Sequence, residues 1–447
     1  MAAIITSNFR LDNAKGFLSD VNTRSLYMFV GRSEPWVNST TGLNDDTAIP
    51  TPKDRQGDLT DSWQKMSAMK KIGLSDTTLT VPRYSWISGQ TYAEYDDQDD
   101  TLTTKRYYVI TDEFNVYKCL KAGSGPSVVK PTGQALALDP RPAASGGDEE
   151  TDGYLWKFMY TLTGNDVTRF LTSTFLPVRT LASDDGTVQW NVQQAAVKGA
   201  IYRIKIINGG AGYTSTPTVT IDGNGAGAAA TAVVSGGVVT SIFLTSIGAN
   251  YKYAKITITG GGATTNATAR AIVAPGNGHG ADPVAELNGV YTMLNVRLAG
   301  ADGSGDFNVD NDYRQIGLVI DPYDYGTTTV ATATTKYVAR TITYTGLTGG
   351  TLTPDNIITQ SSTGASAVVD SVDATNGIIR YHQNESTGYK AFTVGGTITV
   401  GSVSATISAL GNPEVQPFSG KILYLENRSP VSRAVDQTED IKLVVEF

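Results

Sequence analysis

Strict alternation over the last seven residues limits what this chain can fold into more than any other feature. Ile441, Leu443, Val445 and Phe447 fall on one side of an extended backbone, and Lys442, Val444 and Glu446 on the other. A period of two predicts a half-buried strand. Each such side chain buried is worth about 1.5–3 kcal/mol, so the segment is expected to be tied into a sheet. A second apolar run, Ile422-Leu423-Tyr424-Leu425, precedes it, and a charged, amide-rich loop (Glu426 to Asp440) joins the two.

The remainder of the sequence extends this pattern. Only 17% of the 447 residues are charged, 47 are glycine, and short apolar runs are separated by Gly, Asn, Asp, Ser and Thr. That is the composition of many short strands joined by tight turns. The length allows about three domains. A formal charge of −8, with no basic cluster beyond Lys70-Lys71, argues against a nucleic-acid partner. No apolar run of about 18 residues is present to cross a membrane as a helix. Cys119 is the single cysteine, so no intrachain disulfide forms, and it is expected to be a small buried hydrophobe. MAAIITSNFR lacks the charged and apolar regions of a signal peptide, which leads to the expectation of folding in a cytoplasm.

Few helices are expected. One is capped by Asp12, with Ala14, Phe17, Leu18 and Val21 on its buried face. A second runs through TDSWQKMSAMKKIG, capped by Thr60 or Asp61, with a stripe of Trp63, Met66, Met69 and Ile72, and ended by Gly73. A third follows Asp282 and Pro283, with Val284, Leu287, Val290 and Tyr291 buried.

Catalytic chemistry finds little support. The only histidines, His279 and His382, lie in different segments, a turn and a polar strand. The runs GGAG, DGNGAG and GGGA lack the Gly-Lys-Ser/Thr of a phosphate loop. Asp96, Asp97, Asp99 and Asp100 have the chemistry to bind a cation, but such a run is more often a solvated hairpin tip. Asp306, Asn308, Asp310 and Asp312 alternate as in a calcium loop, but Asn311 replaces the required glycine and Gly317 the final glutamate. A solvated turn is the stronger reading. No cofactor and no enzymatic activity are expected.

Eight blocks, in order along the chain, resemble one family. They are TSNFR (6–10), GRSEPW (31–36), DSW (61–63), VPR (81–83), VYKCL (116–120), GYLWKFMY (153–160), YRQIGLVIDP (313–322) and YLENRSPV with DQTEDI after Tyr424. The family is the gene-eight type of baseplate wedge subunit of contractile-tailed, T-even-like phages. The resemblance implies a β-rich, multi-domain structural protein of the virion tail. It further implies a homodimer that contacts other wedge subunits and helps couple baseplate rearrangement to sheath contraction. Residues in these blocks whose side chains suit interfaces are Arg32, Trp36, Trp156, Glu426, Asn427, Arg428, Arg433, Gln437 and Glu439. The competing reading is that Arg32, Glu34, Glu426 and Arg428 pair within the subunit.

Two stretches lie outside the resemblance. In the first, Gly-Ala-Gly-Tyr213 returns as Gly-Ala-Asn-Tyr251, and Ala-Thr-Ala at 230–232 returns at 267–269. This is an internal duplication. In the second, Asn356 to Thr359 with Ala365 to Val369 is echoed by Gly396 to Thr399 with Val403 to Ile407. The expected architecture is therefore all-β, mainly β-sandwich domains with a few short helices and two inserted glycine-rich modules. Residues 1–80 with 413–447 form a discontinuous core, 81–207 with 276–324 a second family-like region, and 208–275 and 325–412 the inserts. If the inserts bound glycans or a host surface, the chain would instead be a carbohydrate-binding tail protein. A tail-associated hydrolase is the remaining class.

Overall fold

The computed structural model describes residues 4–142, 145–298, 312–432 and 438–447. Antiparallel strands dominate and, apart from the 17-residue N-terminal helix, the helices are short, as the composition requires. The described residues form two compact units, each discontinuous in sequence. One holds Met1–Lys15, Thr78–Met293 and Val444–Phe447; the other holds Gly16–Thr77 and Leu294–Leu443.

The framework of the second unit is a five-stranded antiparallel sheet. Its order is Thr335–Tyr337, Met66–Lys71, Leu26–Gly31, Asp312–Ile320 and Lys421–Ser432. The strand Leu26–Gly31 is buried along its whole length and sits in the middle, with Phe29 opposite Met69 on one side and Gly317 on the other. A continuous apolar run buried on both faces must also have both backbone edges paired. That requirement corrects the helix expected over TDSWQKMSAMKKIG. The helix covers only Gln56–Gln64, and Met66–Lys71 is the strand that completes the ladder. Met66 and Met69 are core residues in either case, because an apolar spacing of three fits a helix stripe and a strand with one irregularity.

Two further helices also differ from expectation. The N-terminal one runs Ser7–Thr23, and the Thr6 hydroxyl, not Asp12, accepts the Phe9 N–H at 3.3 Å. The one after Asp282 is a single turn, Pro283–Glu286, whose Asp282 cap accepts from Ala285 N at 3.2 Å. In the closing strand Glu439–Glu446 only Leu443 is buried, while Ile441 and Val445 are half-buried, so the alternation is softer than the sequence indicates.

The first unit carries a three-stranded sheet, Tyr108–Ile110, Asn115–Lys121 and Leu155–Thr161. Aromatic packing dominates its core: Tyr154 and Trp156 stack at 5.6 Å, and Tyr117 meets Phe158 edge-on at 5.7 Å. Cys119 lies buried in the same cluster.

Residues 201–273 of this unit fold as two three-stranded halves, Ile201–Asn208, Thr218–Gly223 and Ala226–Ser235, then Val238–Ala249, Ala254–Thr259 and Thr268–Val273. The halves interlock. The first strand of each pairs with the third strand of the other, and the two middle strands pair together. The repeated tetrapeptides explain themselves here. Gly210 and Gly248 (φ 68° and 60°) and Gly212 and Asn250 (φ 77° and 63°) all occupy the left-handed region, which glycine and asparagine tolerate best. The tyrosines that follow are buried, and each receives a backbone N–H from the other half: Ala267 N donates to Tyr213 Oη at 2.7 Å and Ala228 N to Tyr251 Oη at 3.4 Å.

Residues 340–411, in the second unit, form a closed six-stranded barrel with the same pairing scheme. Its halves are Arg340–Thr348, Ile357–Gln360 and Ala365–Asp373, then Ile378–His382, Thr397–Val400 and Val403–Gly411. Matching positions bond alike. Val369 N donates to Asn356 O and Ile407 N to Gly396 O, both at 2.9 Å. Thus the two stretches outside the family resemblance share one topology, although the sequence displayed two separate repeats.

Candidate interaction interface

Of the residues singled out for interface contacts, Arg32, Trp36 and Arg428 meet in the second unit around the turn that follows Gly31. The turn begins at Arg32 with φ 60°, a conformation held in place by its surroundings. The Arg32 guanidinium lies 4.0 Å from the Trp36 ring centroid and 3.6 Å from Asp61. Trp36 is 3% exposed; its indole N–H donates to the Arg428 carbonyl at 2.8 Å, and its backbone N–H to Asp46 at 3.1 Å. Asp46 in turn is gripped by both fork nitrogens of buried Arg314, at 2.8 and 2.9 Å. A bidentate fork of this kind fixes geometry as well as charge. This side of the turn is an internal strut of the subunit.

The other side carries a chain of charges to the barrel. Asp61 pairs with Lys65 at 2.8 Å, Lys65 with Glu34 at 3.4 Å, and Glu34 lies 3.5 Å from His382 Nε2 and accepts from Asn384 at 3.0 Å. His382 Nδ1 is 2.7 Å from Asp370, which also accepts the Ser33 hydroxyl at 2.9 Å. Burial opposes charge on both His382 and Glu34, yet their partners win. Asp370 and Glu34 raise the His382 imidazole to about 10, and His382, Lys65 and Arg32 hold the Glu34 carboxyl at about 2. His382, read from sequence as part of a polar strand, is a buried cation clamping the barrel to the turn.

The other candidates divide by location. Trp156 is 6% exposed inside the aromatic core of the first unit. Glu426, Asn427 and Arg428 are half-buried on the outermost sheet strand. There Glu426 accepts the Tyr424 hydroxyl at 2.9 Å, and Asn427 accepts from Gln315 at 2.8 Å and donates to Pro50 O at 2.9 Å. Arg32 and Glu426 thus each find other partners than one another. Glu439 is half-buried in the closing strand. Arg433 and Gln437 lie outside the described residues, as do Asp306, Asn308 and Asp310 of the calcium-like loop. Asp312 is described, 3.2 Å from Arg314. In the acidic loop Asp97 and Asp100 are exposed, as at a solvated tip, but Asp96 is buried; Asp96 and Asp97 pair with Arg270, Asp96 also with Lys205 at 3.4 Å, and Asp99 with Lys105 at 2.6 Å.

One charged cluster in the first unit went unread in the sequence. Lys118, fully buried, donates to Glu286 Oε2 at 2.8 Å, lies 3.2 Å from His279 Nδ1 and sits 4.2 Å from the Tyr95 ring centroid. Gly280 N donates to the other Glu286 oxygen at 2.7 Å. Burial, reinforced by Lys118, pushes His279 down to about 4, so it is neutral at pH 7. Glu286, despite burial, is held at about 2 by Lys118 and His279. The available signal was a lysine within an otherwise apolar strand, VYKCL. Sealed from solvent, the triad holds structure together and offers no route to a substrate.

Comparison with known proteins agrees with the blocks. Residues 3–103 match the phage Gp8 family, described as bacteriophage T4 Gp8, a span holding the TSNFR, GRSEPW, DSW and VPR segments. The baseplate wedge protein gp8 of Enterobacteria phage T4 is 26% identical over 191 residues, covering 36% of this chain and 55% of that protein. The chain thus spans about half the length of the curated relative it matches. Its resemblance to the baseplate wedge subunits of contractile-tailed phages is borne out, and over its first hundred residues the chain carries the Gp8 pattern.

Proposed function

We propose that this chain is a structural subunit of a phage tail baseplate wedge, located in the virion tail. The observation that carries the reading is the Gp8 match over residues 3–103, which contains the turn whose strut and charge chain organise the second unit. Its work is assembly: a homodimer in contact with other wedge subunits, helping couple baseplate rearrangement to sheath contraction, with no catalytic step. The absence of a catalytic step is supported by the burial and mutual pairing of Lys118 with Glu286 and of His382 with Asp370. Glu426, Asn427, Arg428, Glu439, Arg433 and Gln437 are the residues proposed to reach neighbouring subunits. Arg32 and Trp36 serve that contact by shaping the surface from beneath, and Trp156 is proposed to do so within the first unit. We further propose that residues 208–275 and 325–412 are modules inserted into a framework built from the other segments.

Light scattering of the purified chain, alone and mixed with the other wedge proteins of the same phage, tests this reading. A dimer that joins a larger defined complex is expected. A strict monomer that binds none of them would overturn it. Deleting residues 208–275 addresses the carbohydrate-binding alternative, which requires glycan-array signal that disappears with the deletion.

A further inference from the structure

Among the described residues, the strand Lys421–Ser432 ends the five-stranded sheet and pairs on one side only, with Asp312–Ile320. Twelve residues make a long edge, and folded proteins usually cover or charge such edges. The part at Asn427 and Arg428 is covered by Pro50 and Trp36. Its first five residues are not. Lys421–Leu425 instead line a cleft of about 650 Å³, faced by Pro52, Leu59, Trp63 and Phe418.

The cleft presents apolar groups to solvent. Leu423 is 43% exposed and Phe418 56%. Phe418 is held at φ 63°, which bulky residues seldom adopt, with its ring 6.4 Å from that of Trp63. Lys53 and Lys421 on the rim are exposed and make no ion pair among the described residues; Asp54 lies beside them on the rim, and Asp58, paired with Arg55, is also near Lys53.

We propose that this edge docks an extended segment of another tail protein as a sixth strand, with alternate apolar side chains in the cleft and acidic residues at the lysine rim. The free main-chain donors and acceptors select an extended backbone over a helix, the cleft beside them selects apolar side chains, and the two lysines select acidic flanks. The proposal rests on the baseplate reading and names how one partner attaches.

Hydrogen–deuterium exchange tests it, on the full chain alone at two concentrations and on the complex purified after co-expression with the tail proteins of the same phage. Those backbone amides of residues 422–425 that face away from Asp312–Ile320 are expected to exchange at least tenfold more slowly in the complex. Leu423→Glu is expected to abolish the complex and Lys53→Glu to weaken it about tenfold, both with an unchanged unfolding midpoint, while Leu423→Ile retains it. A complex that forms with these amides unprotected overturns the docking site and leaves the baseplate reading standing. No complex at all overturns both. Protection that grows with concentration in the isolated chain makes the occupant a second copy and overturns the proposal.

Discussion

The two histidines should give the units opposite responses to pH. His279, buried beside Lys118, is neutral in the folded protein with its pKa lowered from an ordinary 6.5 to about 4. The unfolded chain therefore binds the extra proton first. Stability is full above pH 6.5 and falls as the pH drops toward 4, by about 3 kcal/mol in total and about 2 kcal/mol by pH 5. His382, between Asp370 and Glu34, is charged when folded, its pKa raised to about 10. Its contribution is full below pH 6.5 and is lost as the pH climbs through 10, about 3 kcal/mol of it by pH 8.5. Because the chain holds only these two histidines, selective ¹³C labelling of the imidazoles gives two resonances. One should titrate in the acid range and the other in the alkaline range. Urea unfolding across pH 5 to 8.5 should show His279→Gln removing part of the acid loss and His382→Gln removing part of the alkaline loss. Two resonances titrating near 6.5, or variants with wild-type pH profiles, would refute the assignment of charge.

Other consequences follow from the same contacts. Glu286→Ala leaves Lys118 buried without its counter-charge and should cost about 3–5 kcal/mol in chemical unfolding; the Lys118→Met, Glu286→Leu double variant should recover most of that. Removing either tyrosine hydroxyl from the interlocked repeat, by Tyr213→Phe or Tyr251→Phe, strands a backbone N–H of the opposite half. About 1–3 kcal/mol should be lost, with the larger effect at Tyr213, where the bond is 2.7 Å rather than 3.4 Å. Cys119 is fully buried and its thiol is pushed far above the usual range. A thiol reagent should leave it unmodified in the folded protein and label it stoichiometrically in urea, so labelling kinetics measure opening of the first unit.

Sequence by itself determined the strand-rich class, the absence of intrachain disulfides, the resemblance to the wedge-subunit family and both internal repeats. Each depends on local information: alternation, turn residues, a residue count, or short blocks in order. The left-handed positions in the two tetrapeptides were legible for the same reason, because only glycine and asparagine stand there. What tertiary structure alone decided was which partner each segment has. An apolar spacing of three at Trp63, Met66 and Met69 reads as a helix until the fully buried Leu26–Gly31 demands a hydrogen-bonded neighbour on that side. Lys118 lies more than 150 residues before His279 and Glu286, and Glu34 more than 300 before Asp370 and His382. No pattern in a window shows that they share a site, because their charges are tolerated only through one another. The interlocking of the repeats is also a tertiary fact: each half resembles the other in sequence, but its outer strands find their ladder partners only in the opposite half.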